Sequence, residues 1–263
     1  KVLQVGSQRV SSILYDKARA LYQQGDIGEM ILVEAVNDRA SALGAWQYSI
    51  PTDASEKTID WAAFIGDAPK LPYDPVRFFR WRNYQDYGTG VAGDLFVHLF
   101  SGLHFIIGST GPNRIYSTGG LRFWKDGRDV PDVTLGLCDY PETKSHPAFN
   151  LQLRVNFVDG GGGGSLLRLV GTEGTMDIGW GGIKISGQKI SKTPGYGGWD
   201  SFGTFTEKQK AAYKEWYEAT YPEPKPQMIP PSEKVYRVPE GYSDHVDHHT
   251  CFINGIRNNA PVV

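Results

Sequence analysis

Two cysteines, Cys138 and Cys251, in 263 residues are too few and too far apart for a disulfide framework or a zinc cluster. A charge bias is missing as well. The 27 basic and 29 acidic side chains leave a net charge of −2, so nothing marks a nucleic-acid or polyanion partner. No apolar run approaches the roughly 20 residues of a membrane span, and the residues that follow Lys1 carry no signal-peptide pattern. The compartment is therefore open, with cytoplasm the default and an exported or periplasmic parent the other option. No internal repeat is visible. What remains is a globular composition, long enough for one large domain or two small ones with a self-sufficient core.

The opening "KVLQVGSQRVSSILYDKARALYQQGDIGE" predicts a short strand, a turn at Gly6 and Ser7, and a helix from about Ser12 to Gln24 stopped by Gly25. A strand leading directly into a helix is half of a parallel crossover unit. "EMILVEAVNDRA" reads as a strand, with Trp46 and Tyr48 in the polar loop after it, and "KTIDWAAFIGDAP" as a short helix. The runs "NRIYSTGGLRFW", "DVTLGLCDY", "FNLQLRVNFV", "SLLRLVGTEGTMDI" and "GIKISGQKISK" alternate at hairpin spacing and predict a consecutive antiparallel series. "TPGYGGWDSFGT" is a glycine and aromatic loop, "FTEKQKAAYKEWYEAT" a polar surface helix, "YPEPKPQMIPPSE" a proline-rich return, and "YSDHVDHHTCFINGIRNN" a last helix. The expected fold class is α+β: an open, predominantly antiparallel sheet with helices on one face.

The stretch "GDLFVHLFSGLHFIIG" carries the candidate chemistry. At about 100° per residue, Leu95, Phe96, Leu99, Phe100, Leu103, Ile106 and Ile107 share an arc of roughly 140°, and Asp94, His98, Ser101 and Phe105 lie opposite. An acid, an imidazole and a hydroxyl thus form their own stripe, facing either water or a site. Just upstream, "RFFRWRNYQDYG" offers donors from Arg80, Arg82, Tyr84 and Tyr87 and a flat face from Trp81, a combination suited to a polyol or sugar ring. Trp46 and Tyr48 belong either to the same wall or to the core.

Other motifs carry less. "GTGVAG" at 88–93 fits G-x-G-x-x-G, yet no buried strand precedes it and no acid follows at ribose distance. "GGGGG" at 160–164 is expected to be a flexible hairpin loop. On the last helix, His245 and His249 share a side with Phe252, Ile253 and Ile256, which predicts packed, hydrogen-bonded histidines. No third ligand is indicated, and no metal is expected.

In order along the chain, "QVGSQRVSS", "GDIGEMILVEA", "IDWAAFIGDAP", "YDPVRFFRWR", "YGTGVAGDLFVHL", "VGTEGTMDI" and "DHHTCFINGIRNNAPV" resemble the landmarks of the second half of a known family. It is the NAD(P)-dependent oxidoreductases of the glucose-fructose oxidoreductase, inositol dehydrogenase and rhizopine-catabolism type (Gfo/Idh/MocA). The resemblance implies an N-terminal Rossmann domain that holds the cofactor, followed by an α+β domain of the glyceraldehyde-3-phosphate-dehydrogenase-like type whose sheet mediates homo-oligomers. It also implies that Asp94 and His98 face substrate and nicotinamide. The family's E-K-P motif is absent, and Ser101 replaces the acid that commonly follows the histidine.

On that resemblance, residues 1–25 are expected to be the last strand and helix of a truncated Rossmann domain, and residues 26–263 the substrate and oligomerisation domain. The implied function is the substrate half of an NAD(P)-dependent dehydrogenase acting on a sugar or cyclitol hydroxyl. His98 would exchange the hydroxyl proton and Asp94 would orient its ring, with Arg80, Arg82, Tyr84, Tyr87, Trp46 and Ser101 around the substrate. NAD or NADP belongs to the parent and neither is expected to bind this chain, which is then inactive by itself. Two other readings stand beside it: a non-catalytic ligand-binding or oligomerisation module, and the substrate domain of a nicotinamide-assisted glycoside-cleaving enzyme.

Overall fold

Alternation builds the sheet. In Phe149–Asn156, the residues Phe149, Leu151, Leu153 and Val155 are buried while Asn150, Gln152 and Arg154 point the other way. The computed structural model describes residues 1–187, 192–222 and 232–262. Its strands are β1 (Met30–Asp38), β2 (Arg114–Gly120), β3 (Val133–Tyr140), β4 (Phe149–Asn156), β5 (Gly164–Gly171), β6 (Gly174–Gly179), β7 (Gly182–Gly187) and β8 (Ser232–Arg237). They form one open sheet in the order β2-β3-β4-β1-β5-β6-β7-β8, parallel only where β1 meets β4. The expected α+β class with a mostly antiparallel open sheet is what the chain adopts.

The helices are α1 (Ile13–Gln23), α2 (Trp61–Ile65), α3 (Pro75–Phe79), α4 (Gly90–Asp94), α5 (Phe96–Ile107), α6 (Glu207–Thr220) and α7 (Asp244–Asn258). Ser12 caps α1, accepting from the Leu14 amide at 3.3 Å, and Gly25 turns the chain at φ +79°. Leu14, Ala18 and Leu21 of α1 and Leu99, Leu103 and Ile106 of α5 share one core with Leu151, Leu153, Leu167, Leu169 and Met176 of the sheet. The two helices cross closely because Gly102 has no side chain: a Cβ there would lie 2.3 Å from Cε1 of Tyr15.

The opposite face of the sheet is bare and divided. On β1, β5 and β6 it carries charge, with Arg168 paired to Asp177 at 2.6 Å and to Glu34 at 3.6 Å. On β2 and β3 it shows Tyr116, Leu135 and Leu137, which are 55 %, 40 % and 57 % exposed.

Several expectations need correction. The glycine run does not close a hairpin, because β4 and β5 are not neighbours: β1 lies between them. The loop wraps the end of β1, where the Asp159 amide donates to the Arg39 carbonyl at 3.1 Å. β8 completes the sheet and begins within the last two residues of the stretch read as a proline-rich return; residues 223–231 of that stretch lie outside the described ones. Residues 1–5 pair with no strand among the described residues. Residues 193–204 fold back on α6, with the Tyr196 ring 5.3 Å from Tyr213 and 4.8 Å from Tyr217, so that helix is not polar all round. Finally, Gly90–Ile107 has a mean hydropathy of 1.5, apolar enough for a membrane span by length and composition. It is broken at Leu95, and Leu99 and Leu103 contribute to the core.

Candidate functional site

The break at Leu95 decides the local geometry. The Leu95 amide closes α4 by donating to the Val91 carbonyl, and α5 begins at Phe96. Asp94 is therefore the last residue of one helix and His98 lies in the first turn of the next, so the expected single stripe is interrupted. Asp94 turns to Arg82, whose Nε donates to its Oδ1 at 2.9 Å while the guanidinium stacks 4.4 Å from the Trp81 ring. The pair is about one-third exposed on each side, where an ion pair contributes little to stability but fixes direction.

His98 has no hydrogen-bond partner for either ring nitrogen among the described residues, and its Nδ1 is closed off from solvent. A buried nitrogen left unpaired in this way is uncommon and calls for a reason. Burial pushes the imidazole pKa below its ordinary value, Arg9 and His245 push the same way, and Asp94 and Asp244 oppose them. The neutral ring is thus the favoured form.

The roof over this stripe comes from the N-terminal segment. Ser7 Oγ donates to Ser101 Oγ at 2.6 Å, one turn beyond His98. The 3-10 turn Gln8–Ser11 then places Arg9 in an ion pair with Asp244 at 3.6 Å, its guanidinium 4.6 Å from the Trp180 ring and 5.4 Å from that of Tyr15. Arg9, Asp244 and Trp180 escaped the sequence reading because nothing local marks them; more than 230 positions separate Arg9 from Asp244.

Among the other sequence candidates, Arg80 is occupied with the preceding loop: Nε donates to the Tyr48 carbonyl at 2.9 Å and Nη1 to Gln47 Oε1. Tyr84 is 5 % exposed beneath the Arg77 guanidinium, and Tyr87 packs on Phe64 at 5.1 Å. Trp46 is 2 % exposed with its ring edge-on to Phe157, a core position with no face to offer a ligand. Asp94 pairs with Arg82, and Ser101 bonds Ser7 one turn beyond His98; Arg80, Tyr84, Tyr87 and Trp46 hold structural contacts. Four surface concavities of 250–560 Å³ open elsewhere, and neither Asp94 nor His98 lines any of them.

On α7 the wheel reading chose the wrong face. His248, not His245 or His249, is the buried histidine at 8 % exposure. Its Nε2 donates to the Val5 carbonyl at 2.9 Å and its Nδ1 shares a 2.7 Å hydrogen bond with Ser11 Oγ. His249 donates from Nδ1 to the His245 carbonyl at 2.7 Å. The inward face is set by the polar backbone of the N-terminal segment, so the more apolar residues Val246, Ile253 and Ile256 stay exposed. No group of three metal-ligating side chains occurs among the described residues. The "GTGVAG" run lies mostly inside the five-residue α4 and follows no strand among the described residues, so it lacks the strand–turn–helix context of a dinucleotide fingerprint.

No protein-family model matches the sequence, and no curated protein matches it. Solved structures do. Levoglucosan dehydrogenase in complex with NADH and levoglucosan matches 99 % of this chain over 58 % of its own length, with a TM-score of 0.55 and 10 % identity. The super-repressor mutant of Gal80p from Saccharomyces cerevisiae matches 97 % over 52 %, with a TM-score of 0.53 and 12 % identity. An oxidoreductase from Sinorhizobium meliloti matches 98 % over 54 %, with a TM-score of 0.51 and 15 % identity. At such identities the likeness concerns the fold, and the chain spans little more than half of each protein. The fold of this chain is the one found in that half of Gfo/Idh/MocA-type oxidoreductases.

Proposed function

We propose that this chain is the substrate-binding half of an NAD(P)-dependent dehydrogenase acting on a hydroxyl of a sugar or cyclitol. The observation that carries the reading is His98: a half-buried imidazole, kept neutral, with no hydrogen-bond partner on either ring nitrogen and an ion pair on each flank. Nδ1 is sealed, which leaves Nε2 to meet the substrate hydroxyl and take its proton. Asp94, held by Arg82, favours the imidazolium that results. Hydride acceptance would fall to a nicotinamide held by the other half of the parent enzyme.

The substrate cleft would then be closed by a neighbouring domain, packed on the exposed apolar residues Leu3, Val5, Val246, Ile253 and Ile256. The levoglucosan and NADH bound by a dehydrogenase of the same fold support the substrate class. In the full-length enzyme, His98→Ala should lower turnover by about 10²- to 10⁴-fold while leaving cofactor affinity unchanged, as steady-state kinetics and a cofactor titration would read. Unchanged turnover would remove His98 from the chemistry.

A second reading keeps the fold without the chemistry: a ligand-binding or assembly module, favoured by the Gal80p repressor among the structures that share the fold. Under either reading the bare apolar patch on β2 and β3 serves self-association. A glycoside-cleaving parent would use the same His98 proton transfer, and product analysis separates it from simple dehydrogenation.

A further inference from the structure

We propose that Arg9 is a positioning residue of the His98 site, a fixed positive charge locked between Tyr15, Trp180 and Asp244 on a segment tied to α5 one turn beyond the imidazole. The inference rests on the reading of His98 as the proton-exchanging group.

Three observations support it. Arg9 is anchored: its side chain is only 10 % exposed, Asp244 holds it at 3.6 Å, and Tyr15 and Trp180 flank the guanidinium. An arginine held this way has lost most of its freedom to swing toward water, so its charge keeps one place. Its segment is also anchored to α5 beside His98, because Ser7, two residues earlier, bonds Ser101, three residues after His98. And its guanidinium makes no hydrogen bond among the described residues, so the charge is not consumed by a bidentate partner.

The charged groups acting on His98 come from three elements: Arg9 from the 3-10 turn, Asp94 from α4, and Asp244 and His245 from α7. Arg9 opposes protonation, and Asp244 both opposes Arg9 and holds it in place. The consequence is a ring kept as a base, with Asp94 favouring the cation once the proton arrives.

The test reads His98 itself, without turnover. The imidazole C–H signal of His98, assigned by its loss in His98→Gln, is titrated by NMR in the wild type and in Arg9→Gln, Arg9→Lys and Asp244→Asn. Arg9→Gln should raise the midpoint, Asp244→Asn should lower it, and Arg9→Lys should restore the wild-type midpoint in large part. A merely structural Arg9 would shift the midpoint in neither direction. Identical midpoints in Arg9→Gln and wild type overturn the proposal. If Arg9→Gln does not fold, an unchanged or raised midpoint in Asp244→Asn overturns it instead. These outcomes are independent of the turnover of His98→Ala, which tests the acid–base reading alone.

Discussion

Asp132 shows how one carboxylate organises a loop. It is fully buried and accepts from the backbone amides of Arg122, Phe123 and Trp124 at 2.7, 2.8 and 2.8 Å. Burial by itself would raise its pKa; the three N–H donors and Arg128 outweigh that and hold it below the ordinary value. Because the folded value lies below the unfolded one, the stabilisation is present at neutral pH and is lost as acid protonates the folded carboxylate. Asp132→Asn should cost about 1–3 kcal/mol in urea unfolding at neutral pH. The gap between variant and wild type should narrow on acidification; a gap constant with pH would show that the charge contributes nothing. His104 follows the same sign. Burial, and then His146, lower its pKa, so its protonation at mildly acidic pH works against the fold.

At the scale of elements, α1 and α5 are joined through the absent side chain of Gly102. Gly102→Ala would drive a methyl into the buried Tyr15 ring and should destabilise the chain by about 1–3 kcal/mol in chemical denaturation. An unchanged unfolding midpoint would mean the helices slide apart at no cost. Long periodic elements were legible in the sequence: α1 with its Ser12 cap and Gly25 stop, the buried alternation of β3 and β4, and the apolar side of α5. Their signals are local. The break at Leu95 was not legible, because Gly93 and Asp94 fit a continuous helix as well as a terminus. The inward face of α7 was misread because its partner is polar backbone, and hydrophobicity alone turns a helix toward its greasier side. The insertion of β1 between β4 and β5 is a matter of long-range pairing that no periodicity encodes. In the site, His98 and Asp94 stood out by type and spacing; Arg9 and Asp244 could not, since only the folded chain brings them together.

At the scale of the whole molecule, the open sheet exposes Tyr116, Leu135 and Leu137 beside the edge of β2 that no strand among the described residues pairs. Such a surface is a liability for a lone copy and a resource for a symmetric pair. The chain should sediment as an oligomer, and Leu137→Glu should shift it to monomers with an unchanged circular dichroism spectrum. A wild-type chain that stays monomeric at the highest attainable concentration would remove the sheet from assembly.

The stitching of residues 4–13 has one more implication. Gln4 donates to the His248 carbonyl, Ser7 bonds Ser101, Arg9 pairs with Asp244, and the Ile13 amide donates to Tyr242. These ties clamp the segment to α5 and α7 together. Arg9 and His98 therefore belong to one rigid unit, and any displacement of the N-terminal segment carries the guanidinium and the imidazole together.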